Sequence, residues 1–364
     1  MRLRQVQVVH RHGDRTPLRN VFRGARGEEA EAQRWEPMLP LSEQLAQLRG
    51  AFRVATAQTP AQSPLQTRPF GFLTRRGIEQ MHARGVKLRA LGEREGLPFA
   101  SLNDADVRVM SNAYMRTQLS AQALLHGLLG DELRLAPRVH VLAQERDMIN
   151  TYASFPEIAT LKAALETESE ELAFREHAMA PRKQELARLL PLFAAGCEPF
   201  TWMTTADYFV CRTAHAVPLI PGTEAHGDAA QGHLSFRFHQ FYSNPRILQL
   251  VVGRLIQNVL VEMQRVMADE SGQRRLVVYS GHDISILSVL HAVDAARADD
   301  QSWWPEYSSA VALELLQDEH SGRWFVRCRL DDDVLARRGA DNSALVPFDE
   351  FGALIADKLR GFVE

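Results

Sequence analysis

An α/β fold, a sheet with helices on both faces and a mostly helical segment inserted into it, is the class this sequence predicts. Two observations carry that reading. Three short β-rich runs each break into a polar turn and then a helical pattern, whereas the stretch 137–245 is rich in helical sequence and has no convincing strand alternation. With 364 residues, 45% hydrophobic and 24% charged, the chain exceeds what one core usually organises. One large domain with a smaller one embedded follows: an α/β core over 1–136, a helical cap over 137–245, and the second part of the core over 246–364.

The first unit is the strand-like run at residues 3–9, apolar over 6–9, which leads into Arg11-His12-Gly13-Asp14-Arg15-Thr16-Pro17. In the second, residues 107–110 lead to Ser111-Asn112 and a helix in which Met115, Leu119 and Ala123 recur at i, i+4, i+8. The third runs from residues 276–279 through Ser280-Gly281-His282-Asp283 into the apolar stretch 284–293. Thr74 is a good N-cap for a helix with Ile78, Met81, Gly85 and Leu88 on one face. Residues 18–72, with Pro37, Pro40, Pro60, Pro64 and Pro69, read as a long, partly helical loop passing near the site. In the cap, Pro156, Pro181 and Pro191 punctuate the helices. Residues 311–316 and 324–330, around Glu319-His320-Ser321-Gly322, read as a β-hairpin returning to the sheet. Ligands of such sheets collect outside the carboxyl ends of the strands, where all three polar turns then lie.

The chemistry is concentrated in the heptapeptide. Arginine is always protonated and offers a fixed fork of donors matched to phosphate oxygens, so Arg11 and Arg15 suit a dianion, and His12 between them is placed to attack phosphorus. Gly13 lets the backbone turn sharply and approach a ligand, and Pro17 stops the strand from continuing. Arg116 alone is an ordinary solvated helix residue; its place in the first turn after a strand makes it a phosphate ligand. His10 points away from Arg11 in a strand and reads as structural. His82, His126, His140 and His177 have no ligand-like partners. Trp202, Phe209, Phe236, Phe238, Phe241, Trp303 and Trp304 suit either an apolar substrate channel or cap packing.

Composition excludes several classes. A net charge of -3 and a pI near 6.5 give no electrostatic case for nucleic acid. Cys197, Cys211 and Cys328 are odd in number and lack metal-type spacing, so a disulfide framework is not expected and a reducing compartment is. The chain enters strand-like sequence directly after Met1-Arg2-Leu3, and no apolar run approaches a membrane span. An intracellular, soluble, cytoplasmic protein is the expectation, although a mitochondrial or secreted chain trimmed of its leader fits the same sequence.

The heptapeptide, the distant His282-Asp283, and Ser111, Arg116 and Ser120 between them resemble the histidine acid phosphatase family. The stretch from Leu73-Thr74 to Gly85 is similar to that family's first large helix. Within the family, residues 3–17, Trp35-Glu36-Pro37, and Trp304-Pro305 through Trp324-Phe325-Val326 look most like the lysophosphatidic acid phosphatase branch. The resemblance implies a phosphoglycerate-mutase-like core, a phosphohistidine formed on His12, and phosphoryl oxygens held by Arg11, Arg15, Arg116 and His282. It further implies that Asp283 protonates the leaving alcohol and then activates water. The implied substrate is a small phosphomonoester, lysophosphatidic acid or a similar lipid monoester, with no metal or other cofactor.

Two alternatives inside the enzyme class are a broad-specificity acid phosphatase and a phytase-like inositol phosphate phosphatase. A phytase needs a cap rich in positive charge, and 137–245 offers only scattered Arg182, Lys183, Arg188, Arg212 and Arg237. A metal-dependent phosphohydrolase needs further His and Asp ligands at helical spacing, which the sequence lacks. A non-catalytic phosphate-binding module is expected to lose His12 or Asp283, and both are present.

Overall fold

The computed structural model describes residues 1–56, 67–130, 136–270, 272–338 and 344–362; Pro60 and Pro64 lie outside them. Among the described residues, the strands are β1 (Arg2–Arg11), β2 (Val54–Thr56), β3 (Val107–Ser111), β4 (Val139–Val141), β5 (Leu276–Gly281), β6 (Ala310–Gln317), β7 (Trp324–Leu330), β8 (Asp333–Leu335) and β9 (Leu345–Pro347). They form one sheet in the order β2-β4-β3-β5-β1-β6-β7-β8, with β9 also on β7. Neighbours from β2 to β1 run parallel, and β6 onward is antiparallel.

The helices before residue 137 are α1 (Glu28–Trp35), α2 (Ser42–Ala51), α3 (Arg75–Arg94) and α4 (Met115–Leu129). The stretch 137–245 contributes α5 (Glu157–Glu168), α6 (Glu170–Leu189), α7 (Pro191–Ala194), α8 (Trp202–Ala214) and α9 (Gly227–Ser243). After it come α10 (Pro245–Met267), α11 (Asp283–Ala292) and α12 (Phe348–Lys358).

Strand alternation sorts side chains to two cores. Val6 and Val8 of β1, with Leu276 and Val278 of β5, join Met81 and Leu88 of α3 and Leu124 and Leu128 of α4. Val9, Val277 and Tyr279 face the other way, toward Ile256 of α10, Leu287 of α11, Phe209 of α8, and Phe238 and Phe241 of α9. Each such apolar side chain contributes about 1.5–3 kcal/mol, so a sheet covered on both faces is strongly favoured. Gln5 and Gln7 are buried on the α10 face and satisfied there, donating to the Glu262 carbonyl at 3.0 Å and the Val259 carbonyl at 2.8 Å.

The hairpin is present as β6 and β7, and Thr74 caps α3 by accepting from the Gly77 amide at 3.0 Å. Three expectations need correction. β4 lies two residues past the position where the cap was expected to begin and pairs with β2 and β3; three residues are too few for alternation to register. The stretch 18–72 contains the edge strand β2 as well as α1 and α2. Pro181 does not interrupt α6 but lies inside it. Its exposed position leaves the freed carbonyl of the preceding turn to water, while Met179 and Leu186 anchor the helix by burial.

Candidate active site

Because β3, β5 and β1 are adjacent and parallel, their carboxyl ends bring Ser111-Asn112, His282-Asp283 and the heptapeptide to one edge of the sheet. Gly13 is required there: a Cβ on it would stand 2.2 Å from the Gly77 carbonyl oxygen, and one on Gly77 would stand 2.2 Å from that of Asp14. This close backbone contact seats the heptapeptide on the start of α3. Asp14 belongs to the same brace. Its Oδ2 accepts from Thr74 Oγ1 at 2.5 Å and lies 2.7 Å from His215 Nε2, and its amide donates to Gln80 Oε1 at 2.8 Å.

His12 follows β1 and is 2% exposed. Its Nδ1 lies 2.8 Å from the Gly13 carbonyl oxygen, which can only accept, so Nδ1 carries the proton and Nε2 keeps its lone pair. Burial, reinforced by Arg116, Arg15, His282 and Arg11, holds its pKa well below 6.5. The imidazole is therefore neutral and nucleophilic in the acid range. His282, whose ring centroid lies 5.4 Å from that of His12, is kept neutral by burial and by the same three arginines. Its tautomer follows from Asn112. Asn112 Oδ1 accepts from Thr117 Oγ1 at 2.6 Å and from the Tyr114 amide at 3.2 Å, so Nδ2 is the atom 2.5 Å from His282 Nε2. His282 accepts there and carries its proton on Nδ1.

Three guanidinium groups surround the pair, each 4–6% exposed. Arg11 Nη2 is 2.9 Å from Asp283 Oδ2, and its Nη1 donates to the Pro305 carbonyl. Arg15 Nη2 is 2.6 Å from Asp207 Oδ1; burial is the largest single influence and opposes its charge, but Asp207, Tyr307 and Cys211 together outweigh it and raise the pKa. Arg116 has no carboxylate at ion-pair distance among the described residues. It lies 4.3 Å from the centre of the Tyr114 ring, and burial and Arg15 push its pKa down to about 10. Three cations against two carboxylates leave the site positive, with Arg116 the least compensated. Replacing Arg116 by methionine should therefore cut kcat/KM by two to three decades, about 3–4 kcal/mol, while raising the Tm of the ligand-free protein. Parallel kinetics and thermal melts check this; a fall in both quantities would mean that Arg116 is structural.

Asp283 opens α11. Its Oδ1 accepts from the Ile284 amide at 2.8 Å, and its Oδ2 accepts from Trp304 Nε1 at 3.2 Å as well as pairing with Arg11. Its side chain remains 16% exposed, more than Arg11, so the carboxyl has access to a leaving group or water.

All six residues expected at the site, Arg11, His12, Arg15, Arg116, His282 and Asp283, therefore meet at one sheet edge. Sequence reasoning missed Asp207, Tyr114 and Tyr307. Tyr307 lies half-buried between the arginines, its ring centre 4.3 Å from the Arg11 guanidinium and 5.9 Å from that of Arg15, and its hydroxyl is 3.4 Å from Cys211 Sγ. Asp207 left one trace: it is the only acid in the helical run Trp202–Ala214, and it sits between apolar residues. Tyr114 and Tyr307 left none. Of the aromatic residues proposed for a channel, Trp202, Phe209, Phe236, Phe238 and Phe241 are buried on α8 and α9, and Trp304 reaches the site. The three cysteines are unpaired.

Several histidines besides these two are held neutral by burial: His10 and His233 near a pKa of 4 and His291 near 3. Since their folded pKa values lie below the unfolded value near 6.5, the unfolded chain binds more protons once the pH drops below it. Their contribution to stability is complete above pH 6.5 and is lost toward the folded pKa values. The Tm of the ligand-free protein should fall between pH 7 and pH 5; a flat or rising Tm over that window contradicts the neutral assignments.

These features define a class. The chain belongs to the histidine phosphatase superfamily, branch 2, whose family model matches residues 2–331, and it is a phosphomonoester hydrolase. It is similar to lysophosphatidic acid phosphatase type 6 of Bos taurus, 22% identical over 366 residues covering 96% of this chain and 82% of that protein. It is also similar to counting factor 60 of Dictyostelium discoideum, 24% identical over 371 residues covering 96% of this chain and 84% of the other. Among solved structures, the phytase of Hafnia alvei in complex with myo-inositol hexakis sulphate superposes with a TM-score of 0.65 at 16% identity, covering 99% of this chain and 98% of that one. The phytase from Citrobacter braakii gives 0.64 at 15% identity, with 98% of each chain covered. At that identity the likeness to the phytases shows a shared fold.

Proposed function

We propose that this chain is a metal-independent acid phosphatase that works through a phosphohistidine on His12 and prefers lysophosphatidic acid or a similar amphiphilic monoester. The observation that carries the mechanism is a neutral His12 with a free Nε2, enclosed by Arg11, Arg15, Arg116 and His282, with Asp283 at the open side. The phosphoryl group binds among the guanidinium groups and draws Arg11 away from Asp283, leaving that carboxyl to carry a proton. His12 Nε2 forms a bond to phosphorus as the ester P–O bond breaks, and Asp283 gives its proton to the departing oxygen. The Asp283 carboxylate then takes a proton from water, whose oxygen attacks phosphorus as the P–N bond breaks and releases inorganic phosphate. His12 Nδ1–H donates to the Gly13 carbonyl throughout, which supports the positive ring of the intermediate.

The metal-independent part is supported by Arg11, Arg15 and Arg116, which bring to the site the positive charge that a metal ion would otherwise supply to a phosphoryl group. The lipid preference is supported by the similarity to lysophosphatidic acid phosphatases and by the half-buried indole of Trp304 beside Asp283. The cap cations that a phytase reading would draw on are partly neutralised: Arg212 pairs with Glu31 at 2.6 Å, and Arg237 with Glu166 and Glu176. No helix among the described residues is long and apolar enough to cross a membrane. Turnover of lysophosphatidic acid, inositol hexakisphosphate, glycerophosphate and an aryl phosphate, each with excess EDTA, tests the proposal. Lysophosphatidic acid should give the highest kcat/KM among the alkyl esters, unchanged by EDTA. A preference for inositol hexakisphosphate, or an EDTA loss restored by a divalent cation, would overturn it.

A further inference from the structure

Lys162, on α5, is half-buried and has no carboxylate within 4.0 Å and no hydrogen-bond acceptor among the described residues, and its Nζ is not sealed from solvent. Its ammonium instead lies 4.5 Å from the centre of the Phe241 ring, 4.6 Å from that of Phe238 and 5.4 Å from that of Tyr152. Glu166, one turn along the helix, is engaged by Arg237. Aromatic faces attract a cation but are poor acceptors for its N–H groups, so the ammonium keeps its donors for an oxygen that a ligand brings in place of water. Burial, with Arg237 nearby, already draws the pKa of Lys162 down to about 8.

The cage adjoins the reacting centre. The Phe238 ring packs edge-on against Trp304 at 5.3 Å, and Trp304 donates to Asp283 Oδ2. Tyr152, the third wall, lies 3.0 Å through its hydroxyl from Tyr242, and the Asp283 carboxylate adds to burial in raising Tyr152 to about 12. Lys162 is thus separated by one ring, that of Phe238, from the indole that donates to Asp283.

We propose that Lys162 is a specificity-determining residue that donates to a second oxygen acceptor on the leaving-group side of the substrate, several bonds from the reacting phosphorus. This rests on the reading of Asp283 as the group facing the leaving alcohol. An acyl-ester carbonyl and a second phosphate share the required chemistry, while a simple alkyl chain lacks it. A charge-assisted bond of this kind gives about ten- to a hundredfold in selectivity.

The test compares kcat/KM for a 1-acylglycerol 3-phosphate, a chain-matched alkyl phosphate and inositol hexakisphosphate in wild type, Lys162→Met and Lys162→Arg. Methionine matches the stem and suits the aromatic cage. We expect Lys162→Met to lower the acylglycerol-to-alkyl ratio about tenfold through KM, with partial recovery in Lys162→Arg. The wild-type ratio should also decline as pH rises through about 8, where Lys162 loses its charge. A ratio that is unchanged, or an equal loss on all three esters, overturns the assignment. If wild type favours inositol hexakisphosphate over the alkyl phosphate and Lys162→Met removes that preference, the Lys162 subsite stands and the lipid preference falls. If wild type favours neither oxygen-bearing ester over the alkyl phosphate, the subsite falls while the phosphatase mechanism is untouched.

Discussion

Replacing His12 by alanine should lower kcat/KM on every phosphomonoester by at least about four decades, the scale of losing a covalent nucleophile. The reason is geometric as well as chemical. The Gly13 carbonyl fixes the proton on Nδ1, and burial with the surrounding arginines keeps the ring neutral, so Nε2 is ready to attack without a separate base. Alanine removes the attacking atom but leaves the guanidinium groups in place. The variant should therefore still bind phosphate or tungstate with an affinity within about tenfold of wild type, because the oxyanion contacts are those of arginine. Steady-state rates and equilibrium binding check the two halves separately. A His12→Ala enzyme that keeps more than a few per cent of wild-type activity would require another nucleophile.

The second large effect depends on the leaving group. Asp283→Asn retains the shape of the side chain but offers no acidic proton, so the first step on an alkyl phosphate should slow by about two to four decades. On an aryl phosphate, whose phenolate departs unprotonated, burst-phase cleavage should change by less than about tenfold, while the second step, which needs a base, slows for both. Rapid-quench measurement of the burst separates the steps. Equal damage to alkyl and aryl bursts would show that Asp283 acts only through its contact with Arg11. A different carboxyl group would then have to deliver the proton.

What the sequence made legible follows from where each signal is local. The strands ending at Arg11, Ser111 and Gly281 were readable because short β-rich runs passed abruptly into polar turns. The adjacency of β3, β5 and β1 turned three separate motifs into one site. Arg116 was legible because a helix start lies directly after a strand end. Asp207 was not, since its contact with Arg15 spans from the turn after β1 to α8 and leaves no spacing to read. Tyr307 was hidden for the same reason: its part is to lie against two guanidinium groups from a loop. β2 and β4, at three residues each, are set by pairing with neighbours and not by their own pattern. Pro181 misled because a proline penalty holds for an isolated helix, whereas α6 is held by packing on either side of it.

The covalent intermediate is the central claim, and trapping it is the direct test. Asp283→Ala, mixed with an aryl phosphate carrying labelled phosphorus and quenched in alkali, should accumulate protein-bound phosphate because formation proceeds and hydrolysis is slowed. The label should be stable to base, labile to acid, and located by peptide mapping at His12. The same experiment on His12→Ala should give none. Base-labile label, label on another residue, or no label in either wild type or Asp283→Ala would contradict the phosphohistidine mechanism.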